Sequence, residues 1–215
     1  MRSKLTVTFL SDWQISSGIG DGYLADSMLV RNDKGLPYIP GRALKGALRE
    51  GAWILSKSGR KDLKDALDLF FGTGKDNRKD NPKENHSGIT YIRSAQLPET
   101  LTSLLPEDRG ACEGVISDLT CNRIQTALED DQVKDGSLRS AECGIPGLVF
   151  ESELEIDSTG LKVSDEWIKQ YFTAVCAAVK SMGANRSRGL GNCEILINGE
   201  KPQKITLPKE VEALV

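Results

Sequence analysis

A chain of 215 residues, 39% hydrophobic and 27% charged, is long enough to bury a core and has the composition of an ordinary water-soluble protein. Its formal net charge of −3 excludes bulk attraction to nucleic acid, so any anion-binding site must be a local basic patch on an acidic body. No apolar run approaches a membrane span, and the opening "MRSKLTVTFLSDW" is too short and polar for a signal peptide. The five cysteines, odd in number and without paired spacing, point to a reducing cytoplasm.

In chain order, "KLTVTFLSDW" places Leu5, Val7 and Phe9 on one face of a first strand. A glycine loop, "SSGIGDGY", and a short extended segment, "LADSMLVRND", come next. A helix over 41–57 opens with Pro40-Gly41, and "KDLKDALDLFFG" makes a second helix ended by Gly72. Residues 73–87 hold no apolar anchor and read as a mobile loop. "GITYIRSAQL" is a strand. From Pro106 to Gly144 the period is lost, as in a polar, hairpin-like insertion. "GLVFESELEI" alternates again, with Phe150, Leu154 and Ile156 on one face. "DEWIKQYFTAVCAAVKSMG" is an amphipathic helix, and "NCEILING" closes the domain as a strand. Without its extensions the order is strand, helix, strand, strand, helix, strand. That order fits a single α+β, ferredoxin-like domain with helices on one face of an antiparallel sheet, an architecture shared with RNA-recognition modules.

Two stretches carry candidate chemistry. On the first helix Arg42, Lys45 and Arg49 fall within about 60° of one another, while Leu44, Ala47, Leu48 and Leu55 face a core. Pro40-Gly41 turns the backbone, leaving the first N–H groups of the helix to meet an anion. In "GANRSRGLGNCEI", Gly183, Gly189 and Gly191 allow close backbone approach, and Arg186 and Arg188 are planar donors suited to phosphate oxygens. This loop lacks the Lys-Ser/Thr ending of a triphosphate loop and does not follow a strand as a dinucleotide fingerprint would. In one ferredoxin-like domain the 41–49 turn and the 183–191 loop converge on a groove for a nucleic-acid backbone.

"LPYIPGRALKGALR", "LFFG" and the near-terminal "GANRSRGLGN" resemble the RAMP superfamily of CRISPR proteins, and their spacing resembles the repeating backbone subunit of type III interference complexes. The resemblance extends through "NRI", "GSLRSAE" and "GLVFESEL". It implies a filament of such subunits wound along a guide RNA, with complementary target RNA and further effector subunits as partners. It also implies a thumb, matched by residues 117–143 within an insertion of about 110–145, that pushes between guide and target and flips a base at regular intervals. Guide contacts fall by this likeness on Arg42, Lys45, Arg49, Arg123, Arg139, Asn185, Arg186, Ser187, Arg188 and Gly189. In active members an aspartate before the turn-helix motif cuts the paired target with a divalent ion such as Mg or Mn, and Asp26 in "LADSMLVRND" stands at that position. One carboxylate is not a complete metal site, so the substrate must supply further oxygens. Asp21 and Asp33 are nearby acids without the positional match. The family commonly has Gly-Ser-Ser before Leu-Lys-Gly, whereas Arg42 and Ala43 replace both serines here, so a guanidinium stands in for two hydroxyls.

Other readings stay open at this point. An Asp26 that serves only its own loop would make the chain a non-catalytic RNA-binding scaffold. A guide-processing endoribonuclease would share the glycine-rich loop, but the turn-helix motif and the thumb-like insertion argue against it. Cys112, Cys121 and Cys143 with His86 would make a Cys₃His zinc site, though no Cys-x-x-Cys pair supports it. Otherwise His86 is a solvated loop residue, and Cys176 belongs to the core.

Overall fold

The computed structural model describes residues 1–16, 18, 25–73, 86–105, 113–126, 128–129, 132–201 and 206–214. Its centre is β1 (Arg2–Phe9), whose alternation sends Leu5, Val7 and Phe9 fully into the core. It pairs antiparallel with β7 (Val149–Ile156) on one side and β8 (Cys193–Ile197) on the other, and β2 (Thr90–Ile92) adds to β7. The sheet order is β2-β7-β1-β8. In the register, Val7 lies opposite both Phe150 and Ile195, so one apolar layer crosses three strands. This is the ferredoxin-like α+β arrangement, antiparallel throughout, that the element order predicts.

Helices α1 (Gly41–Ser56), α2 (Lys61–Phe71) and α5 (Asp165–Ala178) pack together over this inner face. Helix α1 buries Leu44, Ala47, Leu48 and Ala52, and half-buries Leu55. Aromatic rings weld α2 to α5: Phe70 lies 5.4 Å from Tyr171, which stacks on Trp167 at 5.5 Å. The α5 start is built for its place, since Ser164 Oγ accepts the Trp167 N–H and Asp165 and Glu166 sit at the positive end of the helix dipole. The helix stops at Ala178, short of the sequence expectation, because residues 180–182 turn to pair with 191–193. Likewise "GITYIRSAQL" is not one strand. After β2 the chain bends, and Ala95 and Gln96 bridge to Ile39 and Glu151.

A short helix α3 (Glu99–Thr102) precedes the insertion, which contains α4 (Glu113–Asp118), then β3 (Thr120–Gln125), β4 (Leu128–Glu129), β5 (Gln132–Val133) and β6 (Arg139–Gly144). Strands β3 and β6 form an antiparallel hairpin, and its base is tied to the core where Trp13 bridges Gly144 and stacks on Phe9 at 4.5 Å. The loop expected over 73–87 lies mostly outside the described residues.

The open face of the sheet carries a carboxylate row. Its row of Glu151, Glu153 and Glu155 is ion-paired to Lys4, Arg93 and Arg2, respectively, and Tyr91 is the exposed aromatic beside them. Base stacking on such a sheet requires aromatic side chains rather than a carboxylate row.

A buried clamp holds the C-terminal stretch. Asp62, with its side chain 1% exposed, pairs with Arg60 at 2.6 Å and accepts the Val211 N–H, while Arg60 donates to the Pro208 carbonyl. Burial alone would raise the Asp62 carboxyl, but Arg60 and the N–H groups of Val211 and Leu63 outweigh it and hold the pKa below the usual 3.8. A carboxyl depressed on folding contributes stability above its unfolded pKa and loses it as pH falls through the lower folded value. Asp62→Asn is therefore expected to cost about 3 kcal/mol in chemical denaturation at pH 7. The difference from wild type should shrink below pH 3.8, where the native carboxyl protonates.

Candidate nucleic-acid interface

Asp26 lies on an extended segment that leaves the core and joins the hairpin. Its N–H donates to the Ser140 carbonyl at 2.9 Å, and the Ser140 N–H donates back to Asp26 Oδ2 at 2.7 Å. One residue on, Ser27 bridges Ala141, and the Glu142 N–H donates to the Ser27 carbonyl at 2.9 Å. The Glu142 side chain accepts the Leu29 N–H at 3.0 Å and pairs with Arg31. The segment thus adds a short third strand to β6. Asp26 stays exposed, with Oδ2 engaged by the hairpin.

The glycine-rich loop approaches the same place from the core. Ala184 N–H donates to the Gln14 carbonyl at 2.8 Å, and Gly191 N–H to that of Asp12 at 2.7 Å. Between them Asn185 takes a left-handed conformation, φ 56°, which asparagine tolerates better than most side chains, and Arg186–Arg188 form one 3₁₀ turn. Arg188 donates to Gln125 Oε1 on the hairpin at 2.8 Å.

Hairpin, segment and loop enclose a cleft of about 670 Å³ lined by Asp26, Arg139, Asn185 and Arg188, with Lys134 and Asp135 from the stretch between β5 and β6. Four of the residues singled out in the sequence meet here, although they are spread over some 160 positions (188 − 26 = 162). Arginine guanidinium groups and a carboxylate lining one cleft are residue types that can engage a phosphodiester.

The remaining expected contacts lie elsewhere. Arg42 and Lys45 line a separate cleft of about 420 Å³ with Tyr91, Arg93 and Glu153. Lys45 Nζ donates to the Thr90 carbonyl at 2.7 Å, and burial pushes its pKa down. Arg49 donates to the Gly72 carbonyl at 3.3 Å, and Arg123 Nε to Asp12 at 2.7 Å. Arg186 pairs with Glu50 on α1 at 2.6 Å, fastening the loop to the helix without bringing Arg42 into its cleft. Ser187 and Gly189 are exposed on the turn. Gly41 is closely packed, and its N–H has a partner within the protein. A Cβ there would lie 2.3 Å from the Ile92 carbonyl, and its N–H donates to Ser94 Oγ.

Sequence reasoning did not single out Gln14, Ser140, Glu142 or Arg31. Ser140 and Glu142 fall inside "GSLRSAE", but no periodicity marks Gln14 or Arg31. Of the cysteine-histidine set, Cys112 lies outside the described residues, and Cys121 and Cys143 face each other across β3 and β6. Burial raises both thiols, that of Cys143 to about 11, and the His86 carbonyl accepts from Thr73 at the end of α2. Among the described residues no group of three or more His, Cys, Asp or Glu is placed to hold a metal. Among those residues no helix is long and apolar enough to cross a membrane.

Fold and cleft together define a ferredoxin-like α+β domain with an inserted hairpin that holds a carboxylate near the outer end of its β3–β6 pair. The chain belongs to the RAMP superfamily, whose model matches residues 6–194. Among curated protein sequences none matches it. In fold it is similar to a chain of the type III-B Cmr-beta bound to cognate target RNA, at 13% identity and a TM-score of 0.68, covering 92% of this chain and 97% of that one. The apo state of the type III-B Cmr-beta contains a chain similar at 13% identity and a TM-score of 0.62, with 93% and 98% covered. A chain of a type IV-B CRISPR complex is similar at 14% identity and a TM-score of 0.60, with 98% and 96% covered.

Proposed function

We propose that this protein is a guide-RNA-binding backbone subunit of a type III CRISPR effector complex that cuts base-paired target RNA with Asp26, working in the cytoplasm beside further subunits. The observation that carries the reading is the convergence of Asp26, Arg139 and Arg188 on one cleft at the outer end of the β3–β6 pair. In the cut, a ribose 2′-oxygen bonds to the adjacent phosphorus and the bond to the 5′-oxygen breaks, leaving a 2′,3′-cyclic phosphate and a 5′-hydroxyl that takes its proton from water. Asp26 accepts the 2′-hydroxyl proton, and the arginines stabilise charge developing on the phosphoryl oxygens. A divalent ion, when bound, would neutralise the phosphate. Asp26 and Asp135 both line the cleft, and a hard cation takes its other oxygens from RNA and water. Exposed Ile124 and Leu138 sit diagonally across the hairpin, the apolar side chains a wedge between bases requires.

The scaffold reading has its own support, since Asp26 Oδ2 is already spent on the Ser140 N–H. Cutting of complementary RNA by wild type and Asp26→Asn decides between them.

The phosphate contacts have a separate test in salt titrations of RNA binding. Arg139→Ala and Arg188→Ala should each weaken binding about equally for unrelated sequences, and each should flatten the log–log salt slope by about 0.7. Lys45→Met should leave the slope unchanged, because its ammonium is held by the Thr90 carbonyl. An unchanged slope for both arginine variants would remove the cleft from the RNA path.

A further inference from the structure

The glycine-rich loop and the Asp26 segment are separate elements, yet a continuous line of hydrogen bonds joins them. Asn185 Nδ2 donates to Gln14 Oε1 at 3.1 Å, Gln14 Nε2 donates to Ser27 Oγ at 3.0 Å, and Ser27 Oγ donates to Ser16 Oγ at 2.9 Å. Gln14 is only 3% exposed, and its carbonyl also accepts the Ala184 N–H. Its side-chain amide is used at both ends, one atom accepting from the loop and the other donating to the neighbour of Asp26. A buried amide satisfied on both sides fixes the distance between its partners, because breaking either bond leaves a polar group unpaired away from water.

We infer that Gln14 is a positioning residue that transmits the placement of the glycine-rich loop to the Asp26 segment, so that RNA seated on Asn185 and Arg188 sets the carboxylate for the cut. This deepens the proposed function and rests on it for the RNA and the cut. The link between the two elements stands on the hydrogen bonds alone. Nothing in the line touches the reacting atoms; Gln14 acts through Ser27, one residue from Asp26.

Two measurements on the full chain test it, one without RNA and one with the assembled complex. In the first, amide hydrogen exchange is followed over residues 25–30 in wild type, Gln14→Met, Asn185→Gly and the double variant. Methionine keeps the volume without the hydrogen bonds, and glycine accepts the left-handed backbone at 185. Each single change should speed exchange over 25–30, and the double variant should add nothing to Gln14→Met. Unchanged exchange in Asn185→Gly, or additive effects in the double variant, would overturn the inference whatever the protein's activity. In the second, single-turnover cutting of a complementary RNA should fall about 10–100-fold in Gln14→Met, as expected for slight misplacement of a reacting group. Guide retention and target affinity should stay within about twofold, and Gln14→Glu, which keeps the acceptor for Asn185, should fall between. Cutting at the wild-type rate, or loss of the guide itself, would refute the positioning role while leaving the proposed function standing. If wild type does not cut, the catalytic reading fails by itself, and the exchange cycle alone decides whether Gln14 carries the link.

Discussion

Asp26→Asn should stop cutting of the target RNA at this subunit's positions while guide and target remain bound. The substituted amide would keep an oxygen for the Ser140 N–H, so the segment should stay docked on β6 and stability should change little. What disappears is a carboxylate able to take the 2′-hydroxyl proton or share a cation, and such groups typically contribute on the order of 10²–10⁴ in rate. Assembled complex is incubated with labelled complementary RNA and Mg or Mn, then with the variant, and then with chelator. Regular cuts by wild type, with RNA bound but whole in the variant, establish Asp26 as the acting group. Equal cutting by both would assign the chemistry to another residue. Binding by both without any cutting would make the chain a scaffold and leave Asp26 as the clasp of its loop.

A large loss of stability should come from Gly183→Val and from Gly191→Val. A Cβ at Gly191 would lie 2.1 Å from the Met182 carbonyl, and one at Gly183 would lie 2.4 Å from that of Gln14. In both cases the obstacle is backbone, which cannot swing aside. Both residues also adopt left-handed φ, +75° and +96°, where a β-branched side chain is strained. Strain and overpacking together should cost about 2–4 kcal/mol, or roughly 5–15 °C in Tm for a domain of this size. Gly189 provides the control. Its φ is +83° but nothing lies within 4 Å of its Cβ position. Gly189→Ala should therefore cost only backbone strain, about 1–2 kcal/mol, and its main effect should be on RNA binding. Thermal melts that rank all three variants alike would mean the loop is not held as tightly as its backbone contacts indicate.

The sheet and its helices were legible because burial imposes a period. Leu5, Val7 and Phe9 alternate in the sequence and reach zero exposure in the fold, and the 3.6-residue repeat of α1 marks the residues it buries. Where pairing partners are distant, that signal fails. The segment around Asp26 reads as merely extended, and nothing local says that it docks on β6, 114 residues away. The end of α5 was misplaced for the same reason: the residues after Ala178 keep helical character, but pairing with 191–193 claims their backbone groups.

For the site, residue types along the chain show which chemistry is available: a short carboxylate, a basic helix and an arginine-bearing glycine loop. How these groups divide depends on their neighbours in space. Lys45, Arg49 and Arg123 look equivalent to Arg139 and Arg188 as residue types, yet the first two are held by backbone carbonyls and the third by Asp12. Arg139 and Arg188 line the cleft with Asp26, Arg188 while donating to Gln125. The reason is physical. A cation near a buried carbonyl or carboxylate is drawn to it because an unpaired polar group away from water is costly, and that competition is settled by three-dimensional neighbours. Gln14 shows the limit most plainly. Its importance comes from two partners 13 and 171 residues away, and no pattern along the chain could announce either of them.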